Sequence, residues 1–292
     1  MMSHDLSVMP EIFSLETILG CNLHCVECAV GNDMIGRKHG RITLDQFKVI
    51  ADKIRPYCKY MYLHLWGEPM LNREIIPMIK LASEFTRTNI STNAVTLTPD
   101  LARELITSGV SDLIVSIDGV SQEVYEKYRV GGKAHKAIEG LKMLHQFNVE
   151  LKAGVAISPQ YIMFKHNQHE ALAFQQICHG LGLQPSFKAP YLRAGSALAN
   201  SDLAQLTRNI PDDPAVRQHN MSDCQNGWNV FTMLLDGSVV ACCYDHDGKT
   251  NFGNIFEQDV EDIWNSSSYR DFRKRLMTGD ADSFCMDNCL AY

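Results

Sequence analysis

Apolar positions recur every second residue in some stretches of this chain and every third or fourth in others, and the two rhythms take turns over the first two thirds. Period-two or continuous apolar runs predict strands over Ile12–Thr17, Tyr60–Leu65, Thr88–Ser91, Asp112–Ile117, Val149–Ile157 and Gln184–Ala189. Helical patterns lie between them. Thr43 opens one, with Gln46 placed for a capping box and Leu44, Phe47, Ile50 and Ile54 on one face. Thr98-Pro99-Asp100 opens another that Gly109 closes, with cap, first-turn proline and terminal glycine in favoured places. Two more span about Lys133–Phe147 and Asn167–Leu181. Six strand–helix repeats with right-handed crossovers predict an α/β protein with a parallel sheet, and their number suits a partial (β/α)6 barrel. A doubly wound open sheet is the alternative, and in both the chemistry belongs at the carboxyl ends of the strands.

Past Tyr191 the rhythm breaks. Residues 193–222, with Gly195 and Pro211-Asp212-Asp213-Pro214, read as a connector. A hairpin is predicted from Trp228–Leu235 through an Asp236-Gly237 turn into Val239–Cys243, then short helices over Val260–Trp264 and Tyr269–Met277. The expected division is a barrel over residues 1–192, the connector, and a small unit over residues 223–292. That last unit is too short for a strong core of its own and is expected to need a staple.

Composition narrows the class. A length of 292 residues accommodates one large α/β domain plus an appendage, and 45% apolar residues suit a soluble globular chain. A net charge of -7 disfavours a nucleic-acid partner, which would need basic stripes. No apolar run is long enough for a membrane span, and the N-terminus lacks a basic start with an apolar core, so a cytoplasmic protein is expected. The ten cysteines fall into a group near each end, with Cys58 and Cys178 isolated between. In a reducing compartment that distribution suits metal or cluster ligation better than disulfides.

Cys21-Asn22-Leu23-His24-Cys25-Val26-Glu27-Cys28 places three thiols at C-x3-C-x2-C spacing just after the first strand. Three thiolates on one loop can hold three irons of a 4Fe–4S cubane and leave the fourth open to an exogenous ligand. A zinc site completed by His24 or His39 is the alternative. After the second strand comes Leu65-Trp66-Gly67-Glu68-Pro69. Its glycine permits close backbone approach and Glu68 offers an acceptor for a cation, although a generic strand-to-helix turn has the same shape. Ser91-Thr92-Asn93 and Ser116-Ile117-Asp118-Gly119 follow the third and fourth strands with short donors and acceptors suited to a ribose diol. His64 shares a strand face with Tyr62 and Trp66 and reads as a satisfied core histidine, and Lys188 is a weaker candidate for the barrel mouth. Cys224 and Cys242 flank the hairpin, Gly237 stands five residues before Cys242, and Cys285 and Cys289 close the chain.

In this order the motifs resemble the radical S-adenosylmethionine (SAM) enzymes that carry a C-terminal twitch/SPASM-type auxiliary iron–sulfur domain. The likeness covers nearly the whole chain from about residue 12, and includes Gly253-Asn254-Ile255 and Asp262-Ile263-Trp264-Asn265. The resemblance implies a SAM-binding 4Fe–4S cluster on Cys21, Cys25 and Cys28. It also implies a second cluster on Cys224, Cys242, Cys285 and Cys289, whose closing C-x3-C departs from the usual C-x2-C. Gly67 and Glu68 would meet the methionyl ammonium, with Trp66 in place of the family's first glycine. Ser91, Asn93, Ser116 and Asp118 would face the ribose and its surroundings. Arg129 would pair with the SAM carboxylate, a solvated helix-end arginine being the other reading.

Such enzymes take an electron from a donor such as flavodoxin or ferredoxin, cleave SAM reductively and abstract hydrogen from a substrate C–H. Oxidation follows if the auxiliary cluster accepts the second electron, and epimerisation if a thiol such as Cys243 returns hydrogen. Cys243 also reads as a small apolar filler or an alternative ligand. Only about eleven residues precede the first strand and no cobalamin region fits, so a small hydroxylated, sugar- or cyclitol-like substrate is expected. Peptide maturation is the alternative. A reading of another class is a non-catalytic iron–sulfur carrier or a zinc-stapled scaffold.

Overall fold

The computed structural model describes residues 8–190, 192, 196–198, 201–202, 224–278 and 285. Six parallel strands, β1 (Ile12–Leu15), β4 (Tyr60–Tyr62), β5 (Arg87–Thr92), β6 (Asp112–Ser116), β7 (Ala156–Ile162) and β8 (Ser186–Lys188), stand side by side in chain order. That order has no reversal, so the doubly wound alternative, which needs one, is set aside in favour of the partial barrel. Between β1 and β4 a short antiparallel pair, β2 (Ile18–Leu19) with β3 (Gly40–Arg41), brackets the cysteine loop.

Helices pack on the outer face because the strands alternate. Met61, Leu63, Ile90, Leu113, Val115, Ile157 and Tyr161 are buried beneath α1 (Leu44–Ile54), α2 (Ile75–Ser83), α3 (Pro99–Ile106), α5 (Ala134–Glu150) and α6 (Ala171–Gly180). Between β6 and α5 lies the short α4 (Gln122–Glu126). The Thr43 capping box forms as its sequence predicts, and Thr98 caps α3 with Pro99 in its first turn. The pattern does not single out α2 or α4.

One strand departs from expectation. Val149 belongs to α5, and the fifth barrel strand runs over Ala156–Ile162 instead of Val149–Ile157. Val149, Leu151 and Ala153 mimic a strand's alternation, but Val149 and Leu151 are 60% and 39% exposed. The Asn148 amide spans the intervening turn, donating to the Val155 carbonyl and accepting from its N–H. Pro159 sits inside β7 without loss of a ladder bond. Gln160 turns its carbonyl to Ile117 beside β6, so Pro159 faces β8, whose pairing begins only at Gln160.

The C-terminal hairpin, β9 (Val230–Met233) and β10 (Ser238–Val240), joins the same sheet. β9 pairs in parallel with β1, and β11 (Gly253–Asn254) closes the edge beyond β10, giving nine strands among the described residues. Phe231, Met233, Val239, Phe252 and Ile263 share the barrel's core cluster. So do Trp264, at the end of α7 (Val260–Trp264), and Tyr269 and Phe272 from α8 (Ser267–Thr278). The expected weak core is thus met by docking on β1 and α1, where Lys53 Nζ donates to the carbonyls of Ile255 and Gln258. The predicted connector lies almost wholly outside the described residues.

Candidate cofactor and substrate site

Backbone and side-chain hydrogen bonds shape the cysteine loop. The Asn32 amide donates to the carbonyls of Cys25, Val26 and Cys28 at 2.8–2.9 Å, gathering the turn from inside. Gly31 lets the returning chain pass: a Cβ there would lie 2.6 Å from the Cys25 nitrogen. His24 N–H donates to the Val130 carbonyl and Val26 N–H to that of Tyr128, which brings Arg129 against the loop. Cys25 is buried and Cys21 and Cys28 are half-buried, all three as free thiols. Burial pushes the Cys21 thiol up to about 12 and that of Cys25 to about 11 in the metal-free chain, so ionising them calls for a cationic partner such as iron.

Among the described residues no three His, Cys, Asp or Glu side chains converge on a single metal-ion position. The zinc alternative also loses its proposed fourth ligands. His24 is exposed with Nδ1 against the Gly31 carbonyl, and His39 is exposed. A cubane spreads its ligands over three irons, and three thiols around one cavity suit it.

That cavity, open to solvent, is lined by Cys21, Cys25, Cys28, Gly67, Glu68, Ser91, Asn93, Ser116 and Arg129, all candidates from sequence, together with Leu23, Thr92 and Tyr128. Gly67 has φ +87°, and a Cβ would fall 2.6 Å from the Ile18 carbonyl and 2.7 Å from that of Gly20. Only glycine lets this turn close on the strand leading into Cys21. The Glu68 carboxylate is buried and already accepts from Met70 N–H (3.1 Å), Thr92 Oγ1 (2.7 Å) and Asn93 N–H (2.8 Å). A carboxylate accepts about four bonds, so roughly one site is left for a ligand. Burial raises its pKa, while those donors pull the other way.

Asn93 lines the cavity, but its amide is largely engaged, donating to Asn22 Oδ1 at 2.9 Å and accepting from Val95 N–H at 3.0 Å. It ties β5 to the cysteine loop. Asp118 differs from expectation. It is fully buried behind the cavity wall, with its carboxylate on Arg129 Nε at 2.5 Å and Ile162 N–H at 2.5 Å. A sequence places a residue at a strand end without giving its direction, and the nearby cation drew this one inward. Arg129 is correspondingly no solvated helix-end residue: its side chain is 13% exposed, and Nη1 lies 3.8 Å from Cys25 Sγ. Sequence does not mark Thr92, Tyr128 or Asn32 as site residues; for Thr92 and Tyr128 the only sequence signal is adjacency to Asn93 and Arg129.

Deeper in the barrel the inner strand face mixes polar residues with Ile114 and Ile162. Register carries the inward face of Ser91 to Ile114 and Ser158, and that of Ser116 to Gln160 and Ser186. Tyr62 and His64 stack edge to face at 5.6 Å, and the charge of Lys188 bears on His64. His64 is satisfied, as expected: Ser91 N–H donates to Nδ1 at 3.1 Å. Burial lowers its pKa to about 4, so the ring is neutral near pH 7.

In the tail, Cys224 and Cys242 are half-buried and Cys285 is buried, and both Cys224 and Cys285 bear on the Cys242 thiol, which burial pushes far up. Cys289 lies outside the described residues. Gly237, with φ +86°, makes the hairpin turn, where a Cβ would strike Phe256 and Asn254. The strand ends at Val240 and not at Cys243, because Ala241 N–H leaves the ladder for Thr250 Oγ1. Cys242 and Cys243 therefore sit in a turn closed by Asp245 N–H on the Cys242 carbonyl, and strand alternation does not orient them. Cys243 is exposed; its charge bears on Tyr62, inside the barrel, and Cys224 bears on it in turn.

A thiol-lined cavity at the carboxyl ends of parallel barrel strands, with a second cysteine group beside it, defines a class of cluster-dependent barrel enzyme. Comparison with known proteins gives the family. The Radical SAM superfamily model matches residues 15–163, just over half of the chain, and a second model, an iron–sulfur cluster-binding domain (SPASM), matches residues 224–290. The chain belongs to the radical SAM superfamily. Its cofactors are SAM, a SAM-binding 4Fe–4S cluster and an auxiliary iron–sulfur cluster. The mycofactocin maturase MftC of Mycobacterium tuberculosis (strain CDC 1551) is 28% identical over 317 aligned positions, covering 97% of this chain and 78% of that protein. In fold, the chain is similar to Streptococcus suis SuiB, solved with S-adenosylmethionine and with its precursor peptide SuiA. With the SAM-bound form the TM-score is 0.73 at 14% identity, over 97% of this chain and 78% of that one. It is also similar to BtrN in complex with AdoMet and 2-DOIA (TM-score 0.61, 18% identity, 94% and 90% covered). No helix among the described residues is long and apolar enough to cross a membrane.

Proposed function

We propose that this enzyme abstracts a hydrogen atom from a C–H of a small hydroxylated, sugar- or cyclitol-like substrate and oxidises it. In this reading residues 1–192 form the radical SAM barrel and residues 223–292 the auxiliary-cluster unit. Cys21, Cys25 and Cys28 hold the SAM-binding cluster. Gly67, Glu68, Ser91, Ser116 and Arg129 bind SAM, with Asn93 and Asp118 positioning the loop and Arg129. Cys224, Cys242, Cys285 and Cys289 hold the auxiliary cluster. Bound there, cluster and SAM would supply one-electron chemistry for hydrogen-atom abstraction, the electron coming from an external low-potential donor such as flavodoxin or ferredoxin. The chain's own residues do the rest. Ser91 and Ser116 present hydroxyls to the cavity. Neutral His64 sits on the same inner face, its Nδ1 between Ser91 N–H at 3.1 Å and the Asn89 carbonyl at 3.3 Å.

The observation that carries the substrate class is the run of polar residues, Tyr62, Ser158, Gln160 and Ser186, on the barrel's inner strand face. A substrate rich in hydroxyls satisfies such groups, whereas an apolar one would leave them unpaired. The similarity to MftC along nearly the whole chain supports a second reading, a peptide maturase.

The test is a panel of perdeuterated cyclitols, aminosugars and short peptides incubated anaerobically with reconstituted enzyme, SAM and reductant. Deuterium in 5′-deoxyadenosine from a cyclitol or sugar supports the proposal, and deuterium from peptides alone overturns it. Cys243→Ala then separates oxidation from epimerisation. In oxidation the variant keeps turnover and the product is two hydrogens lighter. Solvent deuterium at the reacting carbon, lost in the variant, would assign Cys243 as a hydrogen donor and an epimerase.

A further inference from the structure

The Asp118–Arg129 pair meets the cysteine loop in a way that gripping the SAM carboxylate does not require. Arg129 Nε is held by Asp118 at 2.5 Å, and Nη1 reaches Cys25 Sγ at 3.8 Å. Asp118 is itself fixed: Ile162 N–H donates to its carboxylate at 2.5 Å and Asn167 Nδ2 to its carbonyl at 3.0 Å. The bonds from His24 and Val26 to the carbonyls on either side of Arg129 lock it opposite Cys25. Side-chain exposure is 13% for Arg129 and 0% for Asp118, so their charges act with little solvent screening. The three thiols are treated unequally. Cys21 Sγ accepts from Leu23 N–H at 3.4 Å and Asn93 Nδ2 at 3.9 Å, both neutral donors. Among the described residues Cys28 Sγ has no donor, and Cys25 is the one with a formal cation in reach.

We propose that Arg129, donating from Nη1 to the Cys25 sulfur, raises the reduction potential of the SAM-binding cluster, and that Asp118 positions the guanidinium and limits the rise. This rests on the assignment of that cluster to Cys21, Cys25 and Cys28. Reduction adds one electron, supplied by an external one-electron donor, and Arg129 itself exchanges neither proton nor electron. The added negative charge is stabilised by a nearby cation and by an N–H···S bond, which favours the reduced form. Guanidinium and carboxylate together are neutral, so the net field at the cluster comes from the guanidinium's shorter distance. The two groups therefore predict shifts of opposite sign.

The experiment is an EPR-monitored dithionite titration of the full-length, anaerobically reconstituted protein without SAM. The SAM-binding cluster is identified by the change in its signal when SAM is added to a separate sample. Arg129→Gln should move its midpoint to more negative potential. Asp118→Asn keeps an acceptor for Ile162 and leaves the guanidinium unopposed, so it should move the midpoint to more positive potential. A merely structural pair would give shifts of one sign, or none, in both variants, and either result overturns the proposal. A SAM-responsive EPR signal that survives replacement of all three loop cysteines would overturn the cluster assignment itself. Variants that lose the loop's iron altogether would show that the pair holds the loop together and does not tune it.

Discussion

Arg37→Met would remove half of a buried ion pair that ties three parts of the chain together. The guanidinium grips both oxygens of Glu16 at 2.8 and 2.7 Å, and Nε donates to the His246 carbonyl at 2.6 Å. Glu16, just beyond β1, also accepts from Leu235 N–H in the hairpin turn at 2.9 Å. Side-chain exposure is 13% for Arg37 and 0% for Glu16. Unit charges about 4 Å apart in an effective dielectric of about 20 attract by roughly 4 kcal/mol. Truncating one member of a buried pair costs about 3–5 kcal/mol, because the other charge stays buried alone. Arg37→Met should therefore lower the unfolding free energy of the metal-free chain by about 3–5 kcal/mol, read by urea denaturation under reducing, anaerobic conditions. The double variant Glu16→Gln/Arg37→Met keeps an acceptor for Leu235 and buries no charge, so about 2 kcal/mol of that loss should return. A single variant within about 1 kcal/mol of the parent, or a double variant no better than the single, would refute this reasoning.

Two further outcomes are expected. Reconstituted protein should hold about eight irons per chain, and joint replacement of Cys21, Cys25 and Cys28 by alanine should remove about half of them together with all SAM cleavage, iron quantitation being the check. Burial holds His64 near 4 in the fold against an ordinary 6.5, so the unfolded chain takes up its proton first as pH falls. Stability from this group is whole above about pH 6.5 and drains away towards pH 4, with a ceiling of about 3 kcal/mol that partial exposure reduces. The urea midpoint should accordingly drop between pH 7 and 5 in the parent and drop less in His64→Asn; parallel curves would contradict the assignment.

The barrel was legible in sequence where local physics decides the element. Thr43 with Gln46, and Thr98 with Pro99, carry their helix starts in a few neighbouring residues. The cysteine loop was legible because spacing alone fixes which thiols share a turn. What escaped depends on partners far along the chain. No local signal tells Val230 to lie beside Ile12, or Arg37 to reach Glu16 and His246. Sequence places Asp118 at a strand end without its direction, which follows from Arg129, eleven residues on. The run from Val149 misled because exposed valine and leucine on the last helical turn carry the same alternation as a strand.

The parallel pairing of β1 with β9 has a consequence for biogenesis. On the ribosome β1 can find β4 early, but its other edge stays unpaired until residues 230–233 have emerged, after most of the chain has been made. An open edge next to three free thiols is both a template for sticking to another chain and a target for oxidation. Cells making this protein would thus gain from a chaperone that shields that edge, and from delivering iron and sulfide only after translation is complete. Nascent chains stalled before residue 230 should be the form that aggregates.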